Sequence, residues 1–194
     1  MSLSLARCVE AVARLLDACG PLEPVRLCMS EADVQAEVCA SGPAASASMA
    51  RLAAACGEAA GTPARRDEGV LTVDLEEELV LVAAVDTPLR GAAPGGRLTS
   101  TAAAAELLRT LVPWTAVLDQ ERLPGAQLWV EDDGRGFTVR LLATAASGDD
   151  VERVAAAAGA GLERIRTRRT DSGLDGQGCL PCGRTVHLGV VPLS

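Results

Sequence analysis

Three groups of residues in this chain have the types and spacing for chemistry. Cys179-Leu180-Pro181-Cys182 is a C-x-x-C pair, and His187, the single histidine of the chain, follows five residues later. Two thiols so spaced can cycle through a disulfide, or give a metal two ligands with the histidine as a third. The redox use needs a helix N-terminus at the first cysteine, and here Gly183 and an extended segment follow. The zinc use needs a fourth ligand that the neighbourhood does not supply. Arg164, Arg166, Arg168 and Arg169 form the densest basic cluster, and Arg65 and Arg66 hold the comparable place in the first half. On a strand, Arg164, Arg166 and Arg168 share a face. Guanidinium forks match phosphate and carboxylate, so an anion or an acidic partner is the chemistry implied; the plainer role is a solvated strand end in an acidic chain. The third group, Glu76-Glu77-Glu78, reads as a solvated turn, because successive side chains on a strand alternate and cannot all face one ion. A lone histidine without a local nucleophile pattern is no basis for a triad. No catalytic residue, metal site or cofactor is therefore nominated.

The elements that must carry these residues follow from periodicity. Ser4 to Cys19 is an amphipathic helix, with Leu5, Cys8, Val9, Val12, Leu15, Leu16 and Cys19 at three- and four-residue steps, Ser4 as N-cap and Gly20-Pro21 as its stop. Val25 to Met29 and Val34 to Ala40 are short strands. Ser46 or Ser48 caps a second helix that runs to about Glu58, then Val70 to Leu75 and Leu79 to Val85 are a strand pair. The last of these is apolar on both faces, as in a central strand covered on both sides. Thr87 to Gly96, rich in Pro and Gly, reads as a linker. Ser100 or Thr101 opens a third helix, which Pro113 should kink or end, with Trp114 packing on the core. Ala126 to Thr144 is a hairpin whose turn is Asp132-Asp133-Gly134-Arg135-Gly136. Ser147 to Asp150 caps a fourth helix from Val151 to about Ala160, with two acids at its positive end. Leu162 to Arg169 is extended, Asp171 to Gly183 a Gly-rich loop, and Thr185 to Val191 the last strand.

Both halves thus read as helix, strand pair, helix, strand pair. The fold expected is α+β: two tandem αββαββ units, residues 1–90 and 97–194, joined by a linker at 91–96, with helices packed on an antiparallel-rich sheet. The halves either keep separate sheets or join into one continuous sheet; sequence is compatible with both.

Val130-Glu131-Asp132-Asp133-Gly134-Arg135-Gly136-Phe137 resembles the D-D-G-x-G-F box of the histidine-kinase-type ATP-binding domain. The tail from Gly183 to Leu193 is similar to that domain's closing strand. In that family the box ends a strand and opens a nucleotide lid. Here a second strand arm, Thr138-Val139-Arg140-Leu141-Leu142, follows at once, and the family's helical Asn has no counterpart, since the chain contains none. The resemblance implies a degenerate relative that holds no nucleotide.

Composition bounds the rest. The 194 residues are 48% hydrophobic with a net charge of −8, which suits a globular chain and disfavours broad binding to nucleic acid or an anionic membrane. Every basic residue is Arg, and Lys, Asn and Tyr are absent, a bias expected of a GC-rich bacterial genome. No apolar run reaches the length of a membrane span and no signal core opens the chain, so a cytoplasmic setting is expected. Cys8, Cys19, Cys28, Cys39 and Cys56 then act as small buried hydrophobes. With no catalytic set, and with small-residue helix faces such as Ala102 to Ala105 and Ala155 to Ala158, the leading functional expectation is a non-enzymatic regulatory or protein-interaction module that self-associates. The alternatives are a binder of a phosphate- or carboxylate-bearing small molecule through the Arg-rich strand, the degenerate relative above, and a thiol-redox or metal protein through Cys179 and Cys182.

Overall fold

The computed structural model describes residues 4–23, 25–30, 33–38, 42–60, 65–67, 70–76, 79–85, 101–123, 125–132 and 137–193. Its elements, in chain order, are α1 (Leu5–Cys19), β1 (Val25–Met29), β2 (Asp33–Val38), α2 (Gly42–Ala60), β3 (Arg65–Asp67), β4 (Val70–Glu76) and β5 (Leu79–Val85). The second half has α3 (Thr101–Glu121), β6 (Gln127–Asp132), β7 (Phe137–Ala145), a short 3-10 turn at Gly148–Asp150, α4 (Val151–Ala158), β8 (Glu163–Thr170), β9 (Gly173–Cys179) and β10 (Thr185–Pro192). The fold is α+β, with the helices on one sheet.

That sheet is continuous and ten-stranded, in the order β3-β4-β5-β2-β1-β6-β7-β10-β9-β8. The order is a palindrome about the β1–β6 seam. Each half pairs its first two strands antiparallel, joins its second strand to its last in parallel, and adds two antiparallel strands outside. The parallel registers agree in span as well: Val34 opposes Leu81 and Val139 opposes Val186, 47 positions in each case (34 to 81, 139 to 186).

Several expectations need correction. Among the described residues each half has three strands after its second helix, not two, so the observed order is αββαβββ twice. In the first half the missed strand is β3, only three residues long. In the second it is β9, which occupies most of the supposed Gly-rich loop. Its glycines permit close packing instead of a loop: a Cβ at Gly176 would lie 3.1 Å from the Arg166 carbonyl oxygen, and one at Gly178 3.0 Å from Leu162 Cβ. Pro113 does not end α3, which continues to Glu121 with Trp114 inside it. The helix α2 begins at Gly42, ahead of both serines considered as caps. The linker at 91–96, the hairpin turn at 133–136 and residues 39–40 lie outside the described residues.

The core sits between one face of the sheet and the four helices. Leu27, Met29, Val34, Ala36, Leu128, Val130, Val139, Leu141, Val186 and Leu188 alternate inward along their strands and join the apolar faces of the helices in one core, with α1 over β1 and β2 and α4 over β7 and β10. Helices α1 and α3 run antiparallel, and each secures the other's end. The Asp119 carboxylate near the C-terminus of α3 accepts the Leu5 and Ala6 amides at 2.7 and 3.1 Å, while Ser4 Oγ accepts the Arg7 amide. Together they satisfy the donors that the first turn of α1 leaves open, with a negative charge at its positive end. At the opposite end Thr101 Oγ1 donates to the Gly20 carbonyl at 2.7 Å, and Arg109 pairs with Asp17. Trp114 anchors α3 to the end of α4 by donating from Nε1 to the Ala160 carbonyl at 3.0 Å.

Candidate functional site

The second face of the sheet has no described element over it. Its residues can be read off the register, because partners across a ladder share a face. One row runs from the β8 edge across nine strands: Arg166, Gln177, His187, Arg140 and Trp129 in the second half continue into Cys28, Gln35, Val82 and Thr72 in the first. A neighbouring row carries Arg26 at the seam, which pairs with Glu37 at 2.8 Å and Glu131 at 3.2 Å, tying β2, β1 and β6 together with opposite charges directly across the strands. Strand β5 was expected to be covered on both sides. Leu81 and Ala83 are buried under the helices, but Val80, Val82 and Ala84 on the other face stay half-exposed, and no described element covers them.

At one end of the sheet lies a cleft of about 650 Å³, between α3 and the starts of β7 and β10. Glu106 and Thr110 of α3 line one side; Phe137, Thr138, Arg184 and His187 line the other, with Cys182 at the rim. The volume is that of a small-molecule site, and the lining offers one carboxylate, one guanidinium, one imidazole and threonine hydroxyls over an apolar patch.

The nominated residues fall into three places. Cys179 ends β9, half-buried, opposite Thr185, and Cys182 is exposed in the turn closed by the Gly183 amide on the Leu180 carbonyl at 2.8 Å. Both are free thiols. Together with His187 they do not make a metal site: among the described residues no group of three or more His, Cys, Asp or Glu is placed to hold an ion. The arginines of β8 do not share a face as expected. Arg164 has φ +53° and sits in a register shift between Glu163 and Arg166, so alternation breaks there. Arg166 and Arg168 lie on the uncovered face, opposite Gln177 and Asp175, whereas Arg169 reaches the start of α4 and Glu152 at 3.6 Å. Arg65 and Arg66 stand on β3, at the far edge of the sheet. Nine strand spacings of about 4.8 Å separate the two groups, roughly 40 Å, so they cannot hold one small ligand together. Sequence reasoning missed Arg140, Arg184, Glu106 and Thr138. Arg140 had a signal, since Val139 and Leu141 flank it with inward periodicity; the cleft residues come together only through the fold.

The buried thiols are chemically quiet. Burial, and then the nearby Cys56, pushes Cys19 up to about 12; burial alone pushes Cys56 to about 11; burial followed by the Asp33 and Glu37 carboxylates pushes Cys28 to about 11. At pH 8 a thiol reagent is expected to modify exposed Cys182 well before Cys8, Cys19, Cys28 or Cys56. The same shifts set a stability trend. The folded chain keeps protons that the unfolded thiols release from about pH 9.0, so stability should fall as pH rises from 9 toward 11 and be unaffected by these groups below 8. Urea midpoints of the parent and a Cys19→Ala/Cys56→Ala pair at pH 7.5 and 10 check this: the pair should lose less on going to pH 10.

No protein-family model, no curated protein and no solved structure matches the chain. What the geometry itself defines is an α+β protein with one sheet face that no described element covers, a polar cleft at one end of the sheet and a cationic edge.

Proposed function

We propose that this chain is a non-enzymatic regulatory interaction module that associates with a second copy of itself through the uncovered face of its sheet. The observation that carries this reading is the set of half-exposed apolar side chains on that face, Trp129, Leu142, Val80, Val82 and Ala84, with no described element above them. A face that meets its own copy must be self-complementary, so charges near the two-fold need partners of the opposite sign. The seam fits, because Arg26 stands between Glu37 and Glu131. No described grouping of nucleophile, base and orienting acid argues for catalysis. No helix among the described residues is long and apolar enough to cross a membrane, and a cytoplasmic setting suits six described cysteines of which none is in a disulfide.

Sedimentation over a wide concentration range tests this. The parent should associate reversibly, and Val82→Arg or Trp129→Arg should weaken association by about tenfold or more, the effect of losing one central contact residue. A strict monomer at millimolar concentration, or variants that associate as the parent does, would sink the reading. A second reading rests on the cleft: Arg184 and His187 beside Phe137 would suit a small molecule with a carboxylate or phosphate and an apolar body.

A further inference from the structure

We propose that β8 is a docking edge for an extended acidic segment of another protein, which joins the sheet as one more strand. The proposal concerns the edge and not the face, so it stands apart from self-association.

Strand β8 closes the sheet at one side, and no described strand pairs with its outer backbone. Seven of its eight residues are exposed and the eighth is half-buried. An exposed strand edge offers a row of N–H and C=O groups to any extended chain. What distinguishes this edge is its charge. Among the described residues no carboxylate forms an ion pair with Arg164, Arg166 or Arg168, although the net charge is −8. Arg168 stands directly across from Asp175 and does not pair with it. By contrast Arg26, Arg109, Arg153 and Arg169 all make ion pairs.

These guanidinia select the occupant. A second copy of β8 would place arginine against arginine, which is destabilising across a ladder, and the β3 edge begins with two arginines as well. An apolar strand would leave the arginine heads without partners. A phosphodiester backbone has no groups to continue the ladder, and the chain's net charge repels it. An acidic peptide supplies both terms: its backbone completes the ladder and its carboxylates meet the forks. Arg166 and Arg168 lie two apart on one face, so the segment should carry acids at alternate positions. The bulge at Arg164 ends the regular ladder, which limits the core of recognition to the five residues Arg166 to Thr170.

The probe is a fluorescein-labelled decapeptide of alternating Glu and Thr, followed by anisotropy. It should bind, more weakly as salt rises, and the Arg166→Glu/Arg168→Glu protein should bind it about tenfold or more weakly. Arg166→Gln/Arg168→Gln, with circular dichroism for folding, guards against a misfolded charge reversal. Two further peptides, N-methylated at odd or at even positions, keep the charge and break the ladder from one side each. With the unaltered protein, one of them should lose binding and the other keep it. Hydrogen exchange should show new protection in β8. The proposal is overturned if the decapeptide fails to bind at millimolar concentration, if neither methylated form loses affinity, if the arginine variants bind as the parent does, or if a ten-residue oligothymidylate binds as tightly.

Discussion

Trp114→Ala should lower stability by about 4 kcal/mol, the typical loss for a buried Trp truncated to Ala. Trp114 is 3% exposed, and it is the largest side chain in a core otherwise built from Leu, Val, Ala, Met and Cys. A core in which Leu, Val and Ala predominate reaches little of the space an indole leaves, so most of the cavity should persist. The indole also ties two elements together, since its Nε1 donates to the Ala160 carbonyl where α4 ends and the path to β8 begins. Trp114→Phe separates the two contributions. It keeps most of the buried area and loses the hydrogen bond, for an expected loss of about 1–2 kcal/mol. Denaturant unfolding followed by far-ultraviolet circular dichroism measures both. Equal losses for the two variants would mean that the hydrogen bond, not the packing, carries the effect.

Gly173→Ala should cost about 3 kcal/mol or more, and for a different reason. Gly173 opens β9 with φ +144°, and a Cβ there would lie 2.0 Å from the Val190 carbonyl oxygen. No rotamer relieves that contact, because both partners are backbone; the β8–β9 hairpin must pull away from β10. Gly183→Ala is the control. Its φ of +84° is also left-handed, but nothing lies within 4 Å of the added atom, so the expected cost is the conformational one alone, about 1 kcal/mol. Hydrogen exchange should place the damage from Gly173→Ala in β8 and β9 first. A Gly173→Ala protein as stable as Gly183→Ala would refute the steric argument.

Much of the layering was legible in the sequence. The α1 stripe, the β6–β7 hairpin arms and the alternating inward residues of β7 and β10 follow from period alone. What failed shares a cause: the signal was tertiary. Glycines in β9 look like loop residues, yet Gly176 and Gly178 sit in a strand where a Cβ would press on its neighbours at 3.0–3.1 Å. Three residues of β3 are too few to show a period. Pro113 reads as a stop, but α3 is held on both sides of it, by Leu108 and Leu111 before and by Trp114 and Leu118 after. The arginines of β8 were legible as a cluster; the bulge at Arg164 that divides them was not, because a single extra residue leaves no mark in composition. That one face carries no described element was not legible either. Alternation tells which residues share a side, not which side the helices take.

The seam sets a clock on synthesis. Met29 of β1 takes its place beside Leu128 of β6, so the first strand made must wait about a hundred residues for its neighbour. At ribosomal rates of about 5–20 residues per second that delay lasts roughly 5–20 s. Throughout it the nascent chain shows an apolar strand, Val-Arg-Leu-Cys-Met, with one side unfilled. During translation, then, the hazard of sticking to other chains lies in the middle of the finished protein and not at its charged rim.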